Sequence, residues 1–353
     1  MRLYLDATWE EFVSDVQNSC QGITLFGASS CGKMFMEQVN LKFLIKRIID
    51  NDEKKLGQCS DFENVSIEGI NSLKEDNEDS ILLITSTWYL EIIQQLKDFG
   101  YQGKVYSFLN LRKVLAGYSE SNSIRQFEEH IDHLKALLAD NESKIIADAI
   151  LDKRIQQNLD YSDICTGHEY FIPDIISVRN DAVYVDGGAY NGDSVKNFID
   201  FQKNCFKKIY AFEPDLKNFN NIDCKDLDER IEFYNYGLWS KKDELSFMSS
   251  DTGSTISEMG NKTIKVISLD TFLCEQKVTL IKMDIEGAET EALRGAENII
   301  KKWQPDLAIC IYHKPEDVWT IPLMLHSMVK DYKFYIRHHG STIMDTVLYA
   351  TTK

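Results

Sequence analysis

No apolar run in this 353-residue chain approaches the roughly 18 residues a membrane helix needs, so no membrane partner is expected. Basic charge is scarce. Against 56 Asp and Glu stand 39 Lys and Arg, a formal net charge of −17. That balance argues against a broad nucleic-acid surface, because phosphate binding depends on clustered Lys and Arg. Short basic pairs such as Lys207-Lys208 and Lys241-Lys242 read as solvated faces. The eight cysteines contain no Cys-x-x-Cys pair and no metal-finger spacing, and they read as reduced thiols, many in the core. Asp6, Glu10, Glu11 and Asp15 break up the first residues, which excludes a signal peptide and makes a cytoplasmic protein the expectation. No internal repeat of short period stands out. What is present, 43% hydrophobic and 11% aromatic residues, fits a folded globular chain long enough for two domains with separate cores.

Along the chain, strand and helix signals alternate early. Ile23–Phe26, Leu44–Ile49, Ile81–Thr85 and Lys104–Phe108 read as strands, the last two flanking a helical pattern at Trp88–Phe99. Residues 118–160 lack Pro and space apolar residues helically, as at Ile131, Leu134, Leu137 and Leu138, which predicts helices rather than a floppy linker. The organisation expected is an α/β domain over 1–115, a helical connector over 116–180 and a second α/β domain over 181–353. In that last domain, strands are expected at Val183–Asp186, Lys208–Phe212, Ile231–Tyr236, Leu280–Asp284, Leu307–Tyr312, Lys333–Arg337 and Thr346–Ala350. Helices at Glu289–Lys302 and Asp317–Val329 separate some of them. The loop between the last two strands is too short for a crossover helix, so these should be antiparallel neighbours.

Two segments point to a nucleoside cradle. The strand Val183-Tyr-Val-Asp186 runs into a glycine-rich turn, Gly187-Gly188-Ala-Tyr190-Asn-Gly192, which opens a helix. About twenty residues on, Ile209-Tyr-Ala-Phe-Glu213-Pro214 ends a second strand in an acid, placed to take a pair of ribose hydroxyls. The turn lacks the dinucleotide spacing Gly-x-Gly-x-x-Gly. Its acid-x-Gly-x-x-x-Gly form, from Asp186 through Gly188 to Gly192, resembles the S-adenosylmethionine (SAM) loop of class I methyltransferases. A helix N-terminus favours the carboxylate of the SAM amino-acid end, and Asp186 could hold its ammonium. The plain alternative is a strand–turn–helix with glycines for packing only.

A third segment is more specific. Lys282 and Asp284 interrupt what should be an apolar central strand, and at spacing two they point to one side. Burying either charge alone would cost several kcal/mol, so they must pair or lie at the open carboxyl end, where ligands of α/β sheets bind. Asp284, Glu286 and Lys282 then line a transfer site, or else form a structural ion pair that fixes the turn. His313, after Leu307–Tyr312, should face the same cleft as Asp284, where an imidazole suits proton acceptance; a loop carbonyl is its bland partner. Asp284 and His313 could also take a divalent metal, but two candidates do not make a coordination shell, so none is expected. Arg337, His338 and His339 should end at the same rim; each histidine reads as part of a solvated loop, with a substrate clamp as the alternative. Asp270 reads as a helix cap.

The stretch Lys282-Met-Asp-Ile-Glu-Gly-Ala-Glu289, with Val185–Gly192, Ala211–Pro214 and Ser268-Leu-Asp-Thr-Phe272, resembles the FkbM-type SAM-dependent methyltransferases over residues 161–353. The departure is at Cys310 and His313, where many members carry a glutamate. The resemblance implies a seven-stranded Rossmann-like sheet with an antiparallel last strand. It also implies SAM as cofactor, held by Asp186, Gly187, Gly188, Tyr190, Gly192, Glu213, Pro214 and Asp284. The activity implied is methyl transfer, with a sugar, glycan or small-molecule acceptor and oxygen as the expected target. Whether the chain forms a homo-oligomer stays open.

In the first domain, Gly27-Ala-Ser-Ser-Cys-Gly32-Lys33 follows a strand, but Met34 stands where a P-loop needs Ser or Thr. The stretch also fits Gly-x-Gly-x-x-Gly with Ser29 at the second glycine and Asp50 at ribose distance. A nucleotide or nucleotide-sugar site at Gly27, Ser29, Gly32 and Asp50 competes with sheet packing alone. Two functional alternatives follow: a non-catalytic scaffold that binds SAM or a nucleotide, and a nicotinamide-dependent oxidoreductase built on this first loop. Ser29 weighs against the second.

Overall fold

The computed structural model describes residues 1–353 apart from 6, 20–21, 29–31, 33–34, 36–44, 60–64, 87, 109–110, 112–120, 157, 168–169, 223–227, 249–254 and 257–261. Ser29 of the first glycine loop and the Gly253-Ser254 pair lie outside the described residues. The chain divides into two compact units, residues 1–119 with 153–163, and residues 120–152 with 164–353.

In the first unit, short apolar runs form a parallel sheet. Its strands are β1 (Arg2–Leu3), β2 (Ile23–Phe26), β3 (Ile45–Ile49), β4 (Ile67–Glu68), β5 (Ile81–Ile84) and β6 (Lys104–Ser107), in the order β1-β6-β5-β2-β3-β4. Strands β2 and β5 are buried throughout, as a sheet covered on both faces demands. Helix α1 (Trp9–Asn18) opens with a capping box in which Thr8 and Glu11 satisfy each other's backbone N–H. Helix α2 (Tyr89–Phe99) ends at Gly100 in the left-handed conformation.

Helices α3 (Ser121–Leu137) and α4 (Asn141–Gln156) follow, and the division between the units falls inside α4. Within the second unit, Phe127 of α3 stacks on Trp319 at 5.4 Å between ring centres. Asp140, at the start of α4, takes the guanidinium of Arg337 at 2.6 Å, and Arg337 also donates to Ser143 Oγ at 2.8 Å. Burial alone would raise the Asp140 carboxyl, but Arg337 and Ser143 outweigh it and hold it below its ordinary value. A carboxylate depressed in the folded state adds stability above its unfolded value of about 3.9, lost as pH falls through the folded one. Asp140→Asn should therefore cost about 1 kcal/mol, since Glu142 at 3.0 Å still faces Arg337, lowering Tm by about 2–4 °C. A thermal melt at pH 7 should show that gap, and the gap should narrow progressively as pH falls below about 3.9.

The second unit carries a seven-stranded sheet. Its members are β7 (Val183–Gly187), β8 (Lys208–Phe212), β9 (Ile231–Tyr234), then β14 (Leu280–Met283), β15 (Asp306–Cys310), β16 (Lys333–His338) and β17 (Thr346–Thr351). The order is β16-β17-β15-β14-β7-β8-β9, parallel except for β17, which runs antiparallel to both β15 and β16. The expected antiparallel closing pair is therefore present. Between β9 and β14 the chain builds a smaller sheet from β10 (Gly237–Leu238), β11 (Asp243–Met248), β12 (Thr255–Ile256) and β13 (Lys262–Ile267), which no sequence signal announced.

The helices of this unit are α5 (Asp193–Phe201), α6 (Leu216–Asn221), α7 (Leu269–Leu273), α8 (Glu289–Arg294), α9 (Glu297–Trp303) and α10 (Asp317–Met328). The single helix expected over Glu289–Lys302 is thus two. The break falls at Gly295-Ala296: Ala296 leaves helical geometry at φ −116°, and a side chain at Gly295 would meet the Trp239 carbonyl at 2.0 Å. Asp270 does cap a helix, though not its own. Ser268 caps α7, while the Asp270 carboxylate accepts from the Asn298 and Ile299 N–H groups of α9. Among the described cysteines, only Cys310 is buried, whereas Cys59, Cys165, Cys205 and Cys274 are exposed, so the core placement expected for many is corrected. These four stand in loops or at a helix end rather than on the apolar faces. No helix among the described residues is long and apolar enough to cross a membrane.

Candidate active site

The strand order of the second sheet reverses between β7 and β14, and open α/β sheets bind ligands at that crevice, outside the carboxyl ends of the strands. The glycine turn leaves β7 and the acidic motif leaves β14 side by side: Lys282 pairs in register with Asp186, and Asp284 N–H donates to the Gly187 carbonyl at 3.1 Å. Gly188 has φ +77°, and a Cβ there would lie 1.9 Å from the Asp284 carbonyl oxygen. Only glycine permits this approach.

Asp186 and Lys282 support the turn from beneath. Both are buried, with Nζ 3.2 Å from Asp186 Oδ1, while Lys282 also donates to the Gly188 carbonyl at 2.9 Å and Asp186 accepts from Ser194 Oγ at 2.5 Å. Burial works against the ammonium, but Asp186 and Asp284 outweigh it and hold it well above the ordinary lysine value. Burial raises the Asp186 carboxyl, with Lys282 and Ser194 opposing. In this arrangement Lys282 partners Asp186 and two turn carbonyls rather than facing an acceptor, and the Asp186 carboxylate faces Lys282 and Ser194 rather than a ligand ammonium.

Glu213, at the end of β8, grips the turn from the other side. Its Oε2 accepts from Tyr190 N–H and its Oε1 from Asp215 N–H, both at 2.9 Å. Burial raises its pKa, tempered by those two backbone donors. A carboxylate has about four lone-pair directions, so acceptor capacity remains for the two hydroxyls of a ribose. Tyr190 (φ +47°) and Gly192 (φ +85°) turn the backbone left-handed, and the Tyr190 ring is 53% exposed beside them. Pro214 follows Glu213, with both of their carbonyls accepting from the Asn235 amide. These residues fit the adenosine and amino-acid ends of SAM.

Beyond β14 the acids gather around His313. Asp284 Oδ2 accepts from Tyr170 Oη at 2.8 Å and Oδ1 from Tyr312 Oη at 3.0 Å. His313 Nε2 lies 3.4 Å from Asp284 Oδ1 and 3.5 Å from Glu286 Oε2, and Nδ1 lies 2.9 Å from Glu289 Oε1. Glu289, fully buried in the first turn of α8, also accepts from Ile285 N–H at 3.0 Å. Burial would raise Asp284, yet Lys282, His313 and the two tyrosine hydroxyls hold it below the usual carboxylate range. Burial raises Glu286 to about 7, with His313 opposing and Asp284, Glu289 and Glu213 adding to the rise. For His313, burial lowers the value but the three acids outweigh it and raise it to about 9. The imidazole therefore carries a proton at neutral pH, which removes the free lone pair that proton acceptance requires. Asp284, Glu286 and His313 do share one cleft, as their spacing predicted. Glu289 and Tyr170 were missed as members. For Glu289 the signal was available: at five residues past Asp284, across one turn, it enters the next helix facing back.

The other predicted residues lie apart from this cluster. His338 is buried rather than solvated, with Nδ1 2.8 Å from Thr346 Oγ1, and Arg337 is buried too, paired with Asp140. His339 Nε2 is 2.8 Å from Tyr349 Oη. In the first unit, Gly27 (φ +122°) follows β2 and packs against the Thr85 carbonyl, and Gly32 is buried. Asp50 Oδ2 accepts from Ala28 N–H at 2.8 Å and from Lys55 Nζ at 3.1 Å, so this acid ties the loop together.

Comparison with known proteins follows the same division. Residues 186–342 match the model of the methyltransferase FkbM domain, and residues 5–109 match that of a C-methyltransferase C-terminal domain. No curated protein matches the chain. Among solved structures, methyltransferase FkbM from Methylobacillus flagellatus KT is similar over 98% of this chain and 94% of its own, at 20% identity and a TM-score of 0.70. At that identity the likeness concerns the fold. A SAM-dependent methyltransferase from Aquifex aeolicus matches 49% of this chain and 84% of its own, at 15% identity and a TM-score of 0.31. Residues 186–342, which carry the glycine turn and the acidic motif at the sheet's switch point, thus match a methyltransferase FkbM domain.

Proposed function

We propose that this protein transfers a methyl group from SAM to a hydroxyl of a small-molecule or carbohydrate acceptor. The observation that carries the reading is the paired grip on the glycine turn: Gly188 pressed on the Asp284 carbonyl, and Glu213 bonded to Tyr190 N–H with acceptor capacity to spare. When bound, SAM supplies an electrophilic methyl on a sulfonium, and its transfer to a hydroxyl leaves one proton to be taken up. Glu213 would take the ribose hydroxyls, and the turn from Gly187 to Gly192 would receive the amino-acid end. Asp186 and Lys282 hold that turn in shape. Asp284 and His313 line the far side. Glu286, whose side chain is 40% exposed at the mouth of the cluster, is the group we assign to the proton. Alignment of acceptor and methyl by such a cleft supplies several kcal/mol.

The test is calorimetric titration of the purified protein with SAM, beside Glu213→Ala. A hydrogen bond to a charged group is worth roughly 1.5–3 kcal/mol, so the variant should bind about tenfold more weakly or worse. Absence of SAM binding to the folded parent would sink this reading and leave a scaffold.

A further inference from the structure

The cluster beyond β14 holds three carboxylates against one imidazole, more acid than its internal partners account for. Among the described residues, Glu289 Oε2 and both ring nitrogens of His313 are shut off from solvent without a hydrogen bond of good geometry. The 2.9 Å approach of His313 Nδ1 to Glu289 Oε1 is close, but the ring N–H is not directed along it. Glu289 is fully buried and the His313 side chain is 8% exposed, so neither can turn to water for the missing partner. A buried polar atom left unpaired costs about 1–3 kcal/mol, more when charged.

We propose that Asp284, Glu289 and His313 hold a divalent cation of the manganese type. The ion takes the ring lone pair in place of the proton that the empty cluster keeps there, so its binding releases that proton to solvent. One donor atom from each lies within 4.8 Å of the other two. Around an octahedral ion with ligands at about 2.1 Å, adjacent donors sit about 3 Å apart and opposite ones about 4.2 Å. The three donors need only a slight contraction to meet that geometry. Two carboxylates with one imidazole, and no thiolate, form a donor set that accommodates Mn²⁺. The orientation of the carboxylates is fixed in advance. Asp284 is held by the hydroxyls of Tyr170 and Tyr312, and Glu289 by the Ile285 N–H, which is the outer support that metal-binding carboxylates have. The remaining positions would be left for water or an acceptor oxygen.

The inference is independent of methyl transfer, and its test needs neither SAM nor acceptor. The full chain, stripped with a chelator and dialysed, is titrated with Mn²⁺ while the sharp electron-paramagnetic signal of the free ion is followed. One Mn²⁺ should bind per chain, and spin-echo modulation of the bound ion should show one directly coordinated nitrogen. Glu289→Gln and Asp284→Asn keep the size and the hydrogen-bond acceptor, so both should fold, as circular dichroism would verify, yet bind at least about tenfold more weakly. No Mn²⁺ uptake by the folded parent at millimolar ion overturns the site. So does uptake that both variants retain undiminished, or bound Mn²⁺ with no nitrogen ligand.

Discussion

Gly188→Ala should lower the stability of the protein by about 2–5 kcal/mol and abolish SAM binding, the largest structural effect expected here. Two costs add. At φ +77° an L-residue pays about 1–2 kcal/mol for the left-handed conformation. The new methyl would also sit 1.9 Å from the Asp284 carbonyl oxygen, a backbone atom that cannot swing aside, and such overpacking costs about 1–3 kcal/mol. Relief requires prying the end of β14 from the end of β7, which breaks the bond from Asp284 N–H to the Gly187 carbonyl. Tm should fall by about 4–20 °C. Gly167→Ala is the control, since Gly167 has φ +79° with nothing within 4 Å of a built Cβ, and only the conformational cost of about 1–2 kcal/mol applies. Equal stability losses in the two variants would mean that the contact between the turn and Asp284 does not constrain the site.

Glu286→Gln should lower kcat by about 10²–10⁴-fold while leaving SAM affinity within about threefold. Glutamine keeps the size and polarity of the side chain and removes only its capacity to accept a proton. Glu286 sits at φ +56° on the turn after β14, and its partly exposed side chain bears little on the core, so the fold should persist. Single-turnover methyl transfer to a hydroxylated acceptor, with SAM binding measured in parallel, separates the two parameters. A kcat within about tenfold of the parent would move the proton to another acceptor and defeat the assignment.

Most of the sheet was legible because its strands are short, largely apolar runs bounded by glycine or charge. Lys208–Phe212 falls where it was expected, and Val183–Gly187 and Lys333–His338 extend by one residue. The antiparallel β16–β17 pair followed from loop length alone. The small sheet from β10 to β13 was not legible, since Asp243–Met248 opens on two acids and lacks a regular apolar alternation, and Gly237–Leu238 is only two residues long. In the site, the spacing of Lys282 and Asp284 correctly gave a shared side but not the partner: Lys282 turned to Asp186 on the neighbouring strand, a pairing that register decides and sequence distance hides. Tyr170 was invisible for a related reason. It contacts Asp284 from a segment 114 residues earlier, in a stretch with no strand or helix signal. The protonated state of His313 was out of reach as well, because it depends on Glu289 meeting the ring from the next helix.

The place of β17 bears on how the protein is made. It lies between β15 and β16, bonded to both, although it is the last of the seven strands to be synthesised. Until it emerges from the ribosome, β15 presents a bare, largely apolar edge and β16 has no neighbour to pair with. The switch-point crevice between β7 and β14 can assemble earlier, but the sheet's far flank waits. A nascent chain paused before residue 346 would carry a nearly complete cofactor cradle on an unsealed, adhesive sheet, the kind of intermediate that chaperones shield.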